Sequence, residues 1–138
     1  MGEIETFIDG YRDAFVRGDV DALLERFAFP VQTLSVIDGA ATIGASDREA
    51  WRGVIGYIVG AYDTLGVAAA TSEVEVAEPL AGIRTARVHW RLRRGDGEPV
   101  YDFTAVYTLA SVDGVLLIVS VAHDELPRLG AALQAAEG

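Results

Sequence analysis

Ile4, Phe7, Ile8, Tyr11 and Phe15 recur at spacings of three and four, the period of one helix face, and predict a helix over residues 3–17. Gly18 ends it. Asp19 then offers a side-chain oxygen to the free amides of a second helix, with Val20, Leu23, Leu24 and Phe27 as its apolar stripe and Pro30 as its stop. Residues 31–37, VQTLSVI, are rich in β-branched types and predict a strand that turns at Asp38-Gly39 into a short second strand, ATIG. Ser46-Asp47-Arg48-Glu49 fits a capping box, Ser46 as N-cap and Glu49 reaching back. It opens a long helix with Trp51, Val54, Ile55, Ile58, Val59, Tyr62 and Leu65 on one stripe, ending near Gly66. Gly53, Gly56 and Gly60 lie inside this helix at a spacing that suits close packing on a sheet, and each lowers its intrinsic stability by about 1 kcal/mol relative to Ala. Strands are predicted over 72–78, 83–94, 99–110 and 115–124, separated by Pro79, Gly95-Asp96-Gly97 and Asp113-Gly114. A last helix is predicted over 125–136.

Helix, helix, two strands, helix, four strands is an α+β order, in which a curved, mostly antiparallel sheet is half wrapped by helices. The chain of 138 residues is read as one domain, 1–138. No apolar run approaches the roughly 18 residues that span a bilayer, so no membrane segment is expected. Glu3 and Glu5 stand where a signal peptide would carry Lys or Arg, and a cytoplasmic location is the expectation. The absence of cysteine excludes disulfides, thiolate metal sites and cysteine nucleophiles. A formal charge of −10 repels phosphate backbones, so nucleic acid is not an expected partner. The local exception is the basic cluster of Arg84, Arg87, Arg91, Arg93 and Arg94.

A helix-one tyrosine, Tyr11, is followed seven residues later by Gly18-Asp19, then by Asp21-Ala22-Leu23, and the chain approaches its end with the run from Asp113-Gly114 to Ala122-His123. In order and spacing these marks resemble the nuclear transport factor 2-like (SnoaL-like) superfamily, over residues 3–124. The resemblance implies a cone: a curved mixed, mostly antiparallel sheet wrapped by three helices of the N-terminal half, with a C-terminal helix added. It also implies a pocket between the helices and the concave face, open at one end.

Alternation decides which side chains face that pocket. On residues 83–94, Ala86, Val88, Trp90 and Leu92 are apolar and face in, against the basic set Arg87, His89, Arg91 and Arg93. On the next strand Tyr101, Phe103, Ala105, Tyr107 and Leu109 face in, against Asp102, Thr104, Val106 and Thr108. The last strand is apolar on both sides. Resemblance to the ketosteroid isomerases of the superfamily puts the set Val115, Leu117, Val119, Val121 and His123 inward. The expected pocket is then lined by Tyr11, Ser35, Trp51, Tyr62, Trp90, Tyr101, Phe103, Tyr107 and His123, an apolar aromatic cavity with few polar points, as small-molecule sites are. Each of these residues also has a structural reading: the rings as core, the Tyr11 hydroxyl on a backbone group, His123 as a strand-end histidine.

The isomerase chemistry needs a tyrosine, a protonated carboxyl and a basic aspartate. By ungapped resemblance Tyr11 matches the tyrosine, while Ser35 and Ala105 stand at the other two positions. Serine is no proton shuttle and alanine donates nothing, so that reaction is not expected. His123 is the nearest inward base, and a Tyr11 and His123 pair could serve a dehydration, cyclisation or isomerisation of an apolar cyclic or polyketide-like substrate. A non-catalytic ligand-binding domain of the same fold stays open beside that enzyme. No metal site is expected, because His89 and His123 fall on opposite faces, and no phosphate loop or other cofactor motif is present. Asp124 and Glu125 are expected to cap the terminal helix. The outward arginines are expected to pair with Glu73, Glu75 and Asp102, with an anion site as the alternative. Leu34, Val36, Val106, Leu116, Ile118 and Ala122 would leave an apolar patch on the convex face. The resemblance implies a twofold homodimer through it.

Overall fold

The computed structural model describes residues 2–137. Its elements, in chain order, are α1 (Glu3–Val16), α2 (Val20–Leu24), β1 (Phe27–Ile37), β2 (Ala40–Ser46), α3 (Arg48–Leu65), β3 (Val67–Leu80), β4 (Ile83–Arg94), β5 (Pro99–Val112), β6 (Val115–His123) and α4 (Glu125–Glu137). The six strands form one sheet in the order β2-β1-β6-β5-β4-β3, antiparallel except for the β1–β6 pair. No helix among the described residues is long and apolar enough to cross a membrane.

Burial of α1 and α3 against the concave face makes the core. Ile4, Ile8, Tyr11 and Ala14 form the buried stripe of α1, and Trp51, Ile55, Ile58, Ala61, Tyr62 and Leu65 that of α3. Between α1 and α2 Gly18 adopts φ 71°, a left-handed turn that suits glycine, and Asp19 Oδ1 accepts the Ala22 amide at 3.1 Å. The arginine of this corner is held too: the Arg26 guanidinium lies 5.0 Å from the Phe7 ring centre and donates to the Phe7 carbonyl at 3.0 Å.

Five local expectations are corrected. Pro30 does not stop α2; it lies inside β1, in a stretch where the β6 ladder shifts register and β2 has not begun to pair, so its missing N–H breaks no ladder. Pro79 likewise lies within edge strand β3 at a register shift, and the turn falls later, at Gly82 with φ 85°. The N-cap of α3 is Asp47, whose Oδ1 accepts the Ala50 amide at 2.8 Å, because Ser46 is still paired with Val31 in the β1–β2 ladder. Gly53, Gly56 and Gly60 face solvent rather than the sheet, and a Cβ at each would meet nothing within 4 Å. Last, β6 is irregular at Val119: Leu109 pairs with Ile118, but Thr108 pairs with Ser120. The extra residue resets the alternation, so Val121 and His123 face in as expected, but Leu116 and Ile118 join the core while Leu117 and Val119 do not.

Candidate functional site

Alternation along β4 and β5 fills the cone with Trp90, Phe103 and Tyr107, each at most 6 % exposed, and α1 adds Tyr11. Trp90 Nε1 donates to the Tyr107 hydroxyl at 3.0 Å. The Tyr11 ring meets Phe15 at 5.2 Å, Tyr107 at 5.4 Å and Phe27 at 6.0 Å, all edge to face, the arrangement ring quadrupoles favour.

Among the described residues the one buried charged side chain is Glu125, 5 % exposed. Sequence reasoning assigned it to helix capping, and that is corrected. Its Oε2 accepts the Tyr62 hydroxyl at 2.6 Å and the Tyr101 hydroxyl at 2.7 Å, so α3, β5 and the start of α4 meet at one carboxyl oxygen. Asp124, the residue before α4, turns its Oδ1 to the Thr104 amide at 2.9 Å, with Arg128 3.3 Å from Oδ2. One signal could have found Glu125. The period-two set Val121, His123 continues to residue 125, so the strand's inward face runs one step past the strand itself.

Burial pushes the Glu125 carboxyl up to about 7, against the pull of its two hydroxyl donors. The same burial, with the nearby carboxylate, pushes Tyr62 and Tyr101 well up, so both stay protonated donors. Tyr11 and Tyr107 are raised chiefly by burial as well. His123 moves the other way, because burial disfavours its cation. Its Nδ1 accepts the Glu125 amide at 3.2 Å, which puts the proton of the neutral ring on Nε2.

Two small chambers flank this cluster. The outer, about 30 Å³, is bounded by Tyr11, Phe15, Tyr62, Trp90, Leu92, Phe103, Tyr107 and Glu125, and reaches the surface beside Arg12, Val16 and Ala70. The inner, about 20 Å³, is bounded by Tyr11, Phe15, Trp51, Ile55, Ile58, Phe103, Ala105, Tyr107, Val121, His123 and Glu125. Tyr11, Phe15, Phe103, Tyr107 and Glu125 are common to both. Of the sequence-derived site residues, Tyr11 and His123 thus share the inner chamber, Tyr62 and Trp90 wall the outer, and Trp51 walls the inner. Tyr101 bounds neither and acts on Glu125 instead; Ser35 faces inward beside His123 on the neighbouring strand. A water-sized oxygen needs roughly 10–15 Å³, so each chamber takes one or two such groups and the aromatic rings fill the rest.

On the convex face the basic set of β4 is matched by acids on its neighbours. Arg91 lies 2.7 Å from Glu73, Arg87 3.7 Å from Glu75, and His89 Nε2 2.7 Å from Asp102. Arg84 and Arg94 leave this set: Arg84 pairs with Glu3 on α1 at 2.6 Å, and Arg94 donates to the Leu65 carbonyl at 3.1 Å.

The family described as NTF2-like protein (DUF6841) matches residues 2–125. Among solved structures, an NTF2-like protein of unknown function from Shewanella oneidensis superposes with a TM-score of 0.64 at 15% identity, covering 88% of this chain and 95% of that one. A cystatin-like protein of unknown function from Nostoc punctiforme gives 0.67 at 12% identity, covering 88% and 87%. An NTF2-like protein of unknown function from Pseudomonas putida gives 0.65 at 13% identity, covering 88% and 83%. These likenesses show the cone fold. No curated protein matches the chain.

Proposed function

The chain belongs to the NTF2-like (DUF6841) family, and from that premise we propose that it is a small-molecule-binding domain whose ligand lies against the aromatic interior with Glu125 as polar anchor. The observation that carries this reading is the Glu125 carboxyl, buried at the boundary of both chambers and held by Tyr62 and Tyr101. A carboxyl that titrates near 7 offers a ligand a donor or an acceptor according to its protonation, in surroundings otherwise apolar. The chambers are small, so the ligand is compact or displaces the shared rings Phe15 and Tyr11 on entry.

Native mass spectrometry of the purified protein tests the proposal, together with thermal melting across a metabolite panel. A co-purified small molecule, or melting raised by a panel member and not in Glu125→Gln, is the expected result. A ligand-free protein whose melting no compound moves would sink it.

The same carboxyl favours a second reading, an acid/base enzyme performing dehydration, cyclisation or isomerisation. In it Glu125 carries the proton and Tyr11 donates a hydrogen bond, while His123, held neutral by burial, is a donor rather than the base. The working unit we propose is a cytoplasmic homodimer joined through the convex face. An outward band of Leu34, Val36, Val106 and Ala122, with Ile43 69% exposed beside it, supports that pairing.

A further inference from the structure

Among the described residues, two buried side-chain polar atoms lack a hydrogen-bond partner: Ser35 Oγ and Trp51 Nε1. Both lie toward one end of the cone. Trp51 walls the inner chamber, and Ser35 is the strand neighbour of His123, which walls it too. An indole N–H can only donate, and a buried donor left without an acceptor destabilises the fold. The other tryptophan shows the contrast, since Trp90 Nε1 is satisfied by Tyr107 at 3.0 Å. Trp51 is just as buried, at 5 % exposed, yet it meets no acceptor. His123 adds a second donor, because its Nδ1 already accepts the Glu125 amide and the proton of the neutral ring sits on Nε2. The chamber, about 20 Å³, has room for one oxygen and not for a ring.

We propose that the inner chamber is a subsite for a single acceptor oxygen, received by Trp51 Nε1–H and the His123 ring, and that the ligand class is a compact ketone or aldehyde entering carbonyl first. This rests on the small-molecule reading above and names the chemistry of its ligand. The ligand carbonyl supplies that oxygen, while the ligand's apolar body stays among the rings shared with the outer chamber.

The test uses the two indole N–H signals of the ¹⁵N-labelled protein, assigned by the loss of one in Trp51→Phe. The probes are cyclopentanone and methylenecyclopentane, which keeps the ring shape without the oxygen. Cyclopentanone should move the Trp51 indole proton downfield and leave that of Trp90 in place, while the hydrocarbon moves neither. Trp51→Phe should weaken cyclopentanone about fivefold more than it changes the hydrocarbon's binding, the effect of one neutral hydrogen bond. If the ketone perturbs the Phe103 and Tyr107 ring signals but not the Trp51 N–H, the subsite is overturned and the small-molecule reading stands. If neither probe perturbs any interior signal, no molecule co-purifies and no panel compound moves the melting, both readings fall. The wild-type shifts decide the matter should Trp51→Phe fail to fold.

Discussion

Two carboxylates on either side of the same sheet meet opposite fates. Asp102 points outward from β5, more than half exposed, and its hydrogen bond to His89 holds it below the usual carboxylate range. Glu125 is buried inside the cone, and burial lifts it to about 7 although two tyrosines donate to it. The residues that bring them so near are neighbours, Tyr101 and Asp102, which alternation sends to opposite faces. Partner number does not separate them, since both are hydrogen-bonded. Solvation does: water stabilises the Asp102 charge, while the aromatic interior withholds that help from Glu125.

The largest consequence is a pH dependence of stability that belongs to Glu125. The unfolded carboxyl releases its proton near 4.5 and the folded one near 7, so between those values the folded state holds the extra proton and stability falls as pH rises. The stability is fully present below 4.5 and lost by about 7, a decline of about 3 kcal/mol. His123 acts with the opposite sign: its folded pKa is lowered, so its contribution is present above 6.5 and lost as pH falls. Denaturant unfolding of wild type and Glu125→Gln from pH 4 to 8 isolates the carboxyl. The difference between the two curves should fall through the 4.5 to 7 window and then level, and a flat difference would place Glu125 in water.

Tyr62→Phe sharpens the same comparison at smaller size. Removing one of two donors leaves Oε2 with Tyr101 alone, so the Glu125 carboxyl should titrate still higher, and stability should drop by about 1–2 kcal/mol. Carboxyl ¹³C shifts followed against pH read the first effect, and chemical unfolding reads the second. A carboxyl that titrates lower in the variant would mean that the hydroxyl opposes the charge instead of supporting it.

How far the site was legible follows from where local rules hold. Alternation placed Trp90, Phe103, Tyr107 and the outward arginines, because β4 and β5 run regularly through the centre of the sheet, where one face must be buried. It misplaced Ile118 where Val119 breaks the register of β6, a change no single residue type announces. The helix-one stripe put Tyr11 inside, and Gly18-Asp19 marked the corner that aims it. Glu125 was misread for a different reason. An acidic residue at a helix start has a sufficient local explanation in the helix dipole, and its partners Tyr62 and Tyr101 are 63 and 24 residues away. Only the assembled cone shows them converging. His123 was found for its pKa, yet what matters in the fold is the bond its Nδ1 makes, which fixes the ring as a donor.

The proposed dimer gives a test on the convex side alone. Val36→Lys places a charge within the outward apolar band and should convert a dimer to monomer in analytical ultracentrifugation, with little change in the melting of the monomer itself. A wild-type protein that sediments as a monomer would end that proposal without touching the interior.

The smallest effect should come from Asp102→Asn. The His89 pair is partly exposed, at 32% and 53%, so screening and side-chain entropy leave such a contact worth less than about 1 kcal/mol. The variant should therefore unfold near the wild-type denaturant concentration, and the small difference should shrink further in high salt. Nor should it move the Glu125 titration, because the two carboxyls face different media across the sheet. If Asp102→Asn shifted that titration as Tyr62→Phe does, the two faces would be electrically coupled through β5. The separation of a wet and a dry carboxylate would then fail.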